Sequence, residues 1–155
     1  MKTYNYNALH EKTCPGKVHY TVGIVIRSDL KTVWENVCKA DMVKQYFTTD
    51  ARRDLDKCGE ALWVWGQEAA LLNVIEVYPN EKIIFEWNGT NVDYRIRTEF
   101  TFENVSGRVK IKIKESGWDG DESGAKSAFA NCSGWTEFLN ALKVFTEYKI
   151  SYLNK

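Results

Sequence analysis

The stretch that most constrains this chain is residues 94–116, "YRIRTEFTFENVSGRVKIKIKES". In its first half Tyr94, Ile96, Thr98, Phe100 and Phe102 alternate with Arg95, Arg97, Glu99, Thr101 and Glu103. In its second half Val109, Ile111 and Ile113 alternate with Lys110, Lys112 and Lys114. A period of two with one apolar and one charged side predicts two strands of a sheet that is wet on one face and buried on the other. Ser106-Gly107 between them is a tight-turn signal, so the strands form a hairpin. Two strands alone are marginal in water, and the apolar face has to be covered by another layer.

The cover lies near the end of the chain. From about Ala125 to Leu153 the period becomes helical, with Ala128, Cys132, Trp135, Phe138, Leu139, Leu142, Phe145 and Tyr152 along one side. Such a helix is about 40 Å long and can cross a whole sheet. The acidic, glycine-rich "GWDGDESGA" precedes it, where the positive end of the helix dipole favours Asp and Glu. Other elements are legible further upstream. Val18, Tyr20, Val22, Ile24 and Ile26 alternate as a first strand. Ser28 or Asp29 is positioned to cap a helix over "LKTVWENVC", and "ADMVKQYF" reads as a second short helix. "TTDARRDL" is a weak strand pattern; "EALWVWG", "AALLNVIEVYP" and "KIIFEWNG" are stronger, with Pro79 and Asn88-Gly89 as strand ends. The predicted fold class is α+β, with a curved antiparallel sheet of about seven strands wrapped around a long C-terminal helix and two short helices after the first strand. Residues 1–17 form a lead-in and 18–155 the domain. A sheet curved round a helix leaves room for a cavity of roughly 300 to 1,000 Å³.

Composition removes several functions. Lys plus Arg and Asp plus Glu both number 21, so no global field attracts nucleic acid or an anionic membrane. No apolar run approaches the roughly 18 to 20 residues of a membrane span. The four cysteines, Cys14, Cys38, Cys58 and Cys132, form no Cys-x-x-Cys pair, and no secretory signal is visible at the start, which predicts reduced thiols in the cytoplasm. His10 and His19 are the only histidines and neither has a ligand partner at helical spacing, so no metal is expected. No phosphate loop, Ser-His-Asp set or carboxylate pair points to a cofactor or to covalent chemistry.

Aromatic residues carry the remaining signal, since Trp and Tyr combine a flat apolar body with one hydrogen-bond donor. The expected ligand wall is Tyr46, Phe47, Trp65, Phe85, Trp87, Tyr94, Ile96, Phe100, Trp135, Phe138, Leu139 and Leu142. For an enzyme the candidates are Glu115, which continues the inward series of Val109, Ile111 and Ile113; Arg53, which shares a face with Ala51 and Leu55; and Tyr94. For a protein partner the candidate surface is the basic strip of Lys110, Lys112, Lys114, Arg95 and Arg97. "LWVWG" adds a strand that is apolar on both faces, Leu62 with Val64 and Trp63 with Trp65. Its second cover would be the N-terminal segment or a partner subunit, or those two residues simply stay exposed.

Taken in order, "VWENVCKADMVKQYF", "VIEVYPNEKIIFEW", "RTEFTFENVSGRVKIKIKESGW" and "SGWTEFLNALKVF" resemble the motif series of the START-like, or Bet v 1-like (SRPBCC), superfamily, in the branch named for the activator of Hsp90 ATPase homologue 1. The resemblance covers residues 18–153. Its most specific parts are Glu115-Ser116-Gly117 and Gly134-Trp135 with Leu139 and Leu142. It implies a helix-grip fold, in many members a hydrophobic cavity, and functions as different as lipid or polyketide binding, cyclase activity and co-chaperone action. Fold alone does not choose among these. The expectation is a domain that binds a small hydrophobic molecule, lipid, aromatic or polyketide-like. The alternatives are a cyclase or hydrolase-like enzyme and a chaperone-associated domain, with a second copy or a chaperone as partner.

Overall fold

The computed structural model describes residues 17–151. All of the lead-in except Lys17, together with Tyr152 and Leu153, lies outside the described residues. The elements are β1 (Val18–Ile26), α1 (Leu30–Cys38), α2 (Ala40–Tyr46), β2 (Asp50–Arg52), β3 (Gly59–Trp65), β4 (Glu68–Tyr78), β5 (Lys82–Asn88), β6 (Arg95–Val105), β7 (Arg108–Trp118) and α3 (Glu122–Tyr148). The seven strands form one antiparallel sheet in the order β1-β7-β6-β5-β4-β3-β2, so the first and last strands are neighbours. This is the expected α+β helix grip.

Local chemistry explains the element ends. Ser106 and Gly107 both have positive φ, 52° and 76°, as the hairpin turn between β6 and β7 requires. Asp29, not Ser28, caps α1 by accepting the Thr32 N–H at 2.8 Å. The long helix starts and stops earlier than its apolar period suggests. Asp121 caps it through the Gly124 N–H at 2.7 Å, and Lys149 closes it in the left-handed region at φ 57°. The acidic loop thus supplies both the cap and, in Glu122, the first helical turn, where carboxylates are favoured.

The core fills the space between sheet and helix at the C-terminal half of α3. Tyr46 stacks on Phe145 at 5.0 Å and 23°, and Trp63 stacks on Phe138 at 5.9 Å and 29°. Ile26, Ile83, Phe100, Ile111, Ile113 and Leu142 close around them. A two-residue latch ties the end of α3 to the end of β1. The Glu147 carboxylate accepts from the Arg27 backbone N–H at 2.8 Å and its guanidinium at 2.9 Å, and pairs with Lys143 at 3.1 Å. Burial works against the charge on Glu147, but these donors outweigh it and bring the carboxyl down to about 2.

One expectation about strand faces is corrected. The weak β2 pattern holds for only three residues, and Arg53 just after it takes φ 69°. That turn breaks the alternation, so Arg53 is exposed while Ala51 and Leu55 are buried. On β3, Ala61 and Trp63 are buried, whereas Leu62 and Val64 are half-buried and pair across with Leu71 and Ala69 of β4.

Candidate functional site

Strand parity delivers Glu115 to the inner face of β7, where it is fully buried. Its cross-strand neighbours are Tyr20 on β1 and Thr98 on β6. Asn131 and Trp135, one turn apart on α3, come down on it from the helix. The carboxylate accepts from Tyr20 Oη at 2.6 Å, Thr98 Oγ1 at 2.8 Å, Trp135 Nε1 at 2.9 Å, Asn131 Nδ2 at 3.0 Å and Trp87 Nε1 at 3.2 Å. A carboxylate offers about four lone-pair sites, and these five donors saturate it. Burial, and then the adjacent Glu115 charge, push the Tyr20 hydroxyl far above the usual phenol range, so it stays a donor. Two of the five donors are indoles, so one buried acid orients both Trp87 and Trp135, whose rings lie 5.4 Å apart at 47°.

Those two rings form the inner wall of a cleft of about 670 Å³ at the N-terminal half of α3. Phe47 and Trp65 add aromatic surface, and Ala69, Ala70, Leu71, Gly89, Ala130 and Gly134 complete the apolar lining. Polar groups come from Glu68, Asn88, Thr90, Arg95 and Asn131. Thr90 donates to Asn131 Oδ1 at 2.6 Å, which leads by hydrogen bonds from the rim of the cleft to Glu115. Gly134 faces this space: a Cβ added there would meet nothing within 4 Å. Glycine inside a helix costs roughly 1 kcal/mol against alanine, so the helix gives up stability where its side chain would intrude on the cleft.

Of the aromatic wall expected from sequence, Phe47, Trp65, Trp87 and Trp135 line the cleft. Tyr46, Phe85, Phe100, Phe138, Leu139 and Leu142 are packed in the core instead, with the Tyr46 hydroxyl donating to the Asn36 carbonyl at 2.8 Å. Ile96 belongs to a smaller cluster with Trp118 and Ala128. Tyr94 packs on Trp118 and accepts the Asp119 N–H at 2.9 Å, outside the lining of the cleft. Arg53 is spent on the loop before β3, where its guanidinium donates to the Cys58 and Glu60 carbonyls. Tyr94 and Arg53 therefore do not meet Glu115, and no two of these three form a hydrogen-bonded pair. Asn131 and Thr90 were not among the expected site residues, and Gly134 entered only as part of the family resemblance, although Asn131 is four residues before Trp135 and must share its helix face.

Among the described residues no group of three or more His, Cys, Asp or Glu side chains is arranged to hold a metal, and no helix is long and apolar enough to cross a membrane. The basic strip is interleaved with acids: in the β6–β7 register Lys110 stands opposite Glu103, and Lys114 opposite Glu99.

An antiparallel sheet gripping a long helix, with a cleft at one end of their interface, defines a helix-grip domain of a class that supports ligand binding. A family model for activator of Hsp90 ATPase homolog 1-like protein matches residues 27–147, and the chain belongs to that family, a branch of the Bet v 1-like superfamily. No curated protein matches the chain. Similar solved structures include DynU16, a protein in the dynemicin biosynthetic locus, with TM-score 0.73 and 18% identity over 84% of this chain; the match spans only 48% of DynU16. SSP2350 from Staphylococcus saprophyticus has TM-score 0.74 at 16% identity, covering 86% of this chain and 95% of that one. The Aha1 dimer from Colwellia psychrerythraea has TM-score 0.65 at 14% identity, covering 82% and 97%. Identities this low show a shared fold.

Proposed function

We propose that the chain binds a small, ring-containing hydrophobic molecule, aromatic or polyketide-like, in the cleft between the start of β4, the end of β5 and α3. The carrying observation is a cleft of about 670 Å³ walled by Phe47, Trp65, Trp87 and Trp135 and kept open by Gly134. Its volume falls in the range of small-molecule sites, and its lining has their usual mixture of aromatic surface and a few polar groups. The locus to which DynU16 belongs is consistent with such a ligand. Binding is favoured over catalysis because Glu115, the one buried acid among the described residues, is engaged by five donors of the protein itself and is not part of the cleft lining. The interleaved charges on the β6–β7 face weigh against an acidic chaperone segment as partner. A cytoplasmic location belongs to the same reading, with Cys38, Cys58 and Cys132 free.

The test is titration of a panel of fatty acids, flavonoids and aromatic polyketides against the protein and Gly134→Leu, read by tryptophan fluorescence and melting temperature. Ligands that bind only the folded state stabilise it. At least one aromatic compound is expected to quench fluorescence and raise Tm in the parent. In Gly134→Leu the response should vanish while the unliganded Tm stays level or rises, since leucine is a better helix former. A panel that moves neither signal in the parent overturns the reading.

A further inference from the structure

The cleft is more than a gap between sheet and helix; it is also a split within the sheet. The β4–β5 ladder runs from Tyr78↔Lys82 to Asn73↔Glu86 and ends there, although β4 continues back to Glu68 and β5 forward to Asn88. A bulge at Ile75 lies just before the break, and bulges increase local twist. Beyond it the β3–β4 end of the sheet parts from β5 and β6. If the register held, the next hydrogen-bonded partners would be Leu71 and Asn88.

Their main-chain direction follows from the neighbouring ladders. Trp65 and Glu68 flank a two-residue turn opened by Gly66 at φ 63°, so they are a hydrogen-bonded pair. Antiparallel pairs alternate in type, which points the main chain of Ala69 and Leu71 away from β3. The Val64 carbonyl agrees: it turns to the other side and accepts the Thr49 N–H at 2.8 Å. On the opposite rim Gly89 donates to the Tyr94 carbonyl at 3.1 Å, so the Asn88 main chain, one residue earlier, points away from β6. The N–H and C=O groups of Leu71 and Asn88 therefore face each other across the split, and no strand pairing joins them.

We infer that the split recognises its ligand through the main chain, as a strand would. Resting on the binding reading above, this narrows the ligand to a flat apolar molecule with a hydrogen-bond donor and acceptor side by side on one edge, the pattern of a ring lactam. The lactam edge takes the place of the missing Leu71–Asn88 pair, while the rings lie against Trp65, Trp87 and Trp135. A plain fatty acid or hydrocarbon would leave the main-chain groups without a partner, a penalty that binding has to carry.

The experiment compares phenanthridinone, a tricyclic lactam, with its N-methyl derivative and with phenanthrene, by fluorescence titration and amide hydrogen exchange. Phenanthridinone is expected to bind about tenfold or more tightly than the N-methyl compound, the scale of one to two hydrogen bonds. The Leu71 and Asn88 amides should exchange freely in the unliganded protein and gain protection with phenanthridinone. Leu71→Pro, which removes an N–H the fold does not use, should bring phenanthridinone down to the affinity that its N-methyl derivative shows in the same variant, a ratio that the lost leucine side chain affects equally in both compounds. Equal affinity for all three compounds overturns the main-chain inference and leaves the binding site standing. Protected Leu71 and Asn88 amides in the free protein, meaning a closed split, also overturn it. Binding of none of the three overturns the inference, and the panel above then decides the site separately.

Discussion

The two halves of the α3–sheet interface are built from the same helix and the same strands, yet one is closed and the other open. In the C-terminal half Phe138, Leu142 and Phe145 join Tyr46, Phe100 and Ile113 in one buried cluster. In the N-terminal half the helix presents Ala130, Asn131 and Gly134 to strands that have parted, and a cleft remains. The difference is one of side-chain volume on the helix and of hydrogen bonding in the sheet. Only the second half lacks both close packing and ladder bonds, and the cleft lies where the two coincide. Glu115 sits between the two, buried like a core residue but bonded to the Trp87 and Trp135 indoles that wall the cleft.

The sharpest way to break this division is Glu115→Leu. The Trp87 and Trp135 N–H groups and the Asn131 amide would be left buried without an acceptor, each at about 1–3 kcal/mol. A loss of about 4 kcal/mol or more in urea unfolding is expected, with cleft geometry lost as well. Phe145→Ala, at a ring that stacks on the core residue Tyr46, tests the closed half alone. It should cost about 3–5 kcal/mol, the usual result of emptying a packed aromatic site, while ligand titrations at the cleft change little. The smallest effect concerns the latch at the far end of α3. Glu147 has a folded value of about 2 against an ordinary 4.5, so its pairing with Arg27 and Lys143 contributes above the ordinary value and is lost as pH falls toward 2. Urea unfolding of the parent and Glu147→Gln should therefore differ at neutral pH and converge below about 4.5, with the cleft unaffected.

Much of the fold was legible because it rests on local periods. The alternation of residues 94–116 is the β6–β7 hairpin, and the same parity that buries Ile111 and Ile113 buries Glu115. The helix was legible as an amphipathic run, though its ends were set by Asp121 and Lys149 rather than by the run itself. The site was legible only in part. Trp87 and Phe85 share a strand face and look alike in sequence, but Trp87 reaches the cleft and Phe85 is sealed in the core. Which one meets the open volume depends on where β4 leaves β5, and no local pattern encodes that point. Arg53 shows the converse: a single left-handed residue cancelled an alternation that had aimed it inward.

The sequence by itself therefore determined that a one-sided sheet must be covered by the one long amphipathic helix, and that an acid would be carried into their interface. It did so because burial of alternating apolar faces is dictated residue by residue along each element. Whether that interface closes or stays open was decided by the tertiary structure alone. The volume beside Gly134 and the unmade Leu71–Asn88 pair are differences between surfaces brought together from distant parts of the chain, and those exist only once the sheet has twisted around the helix.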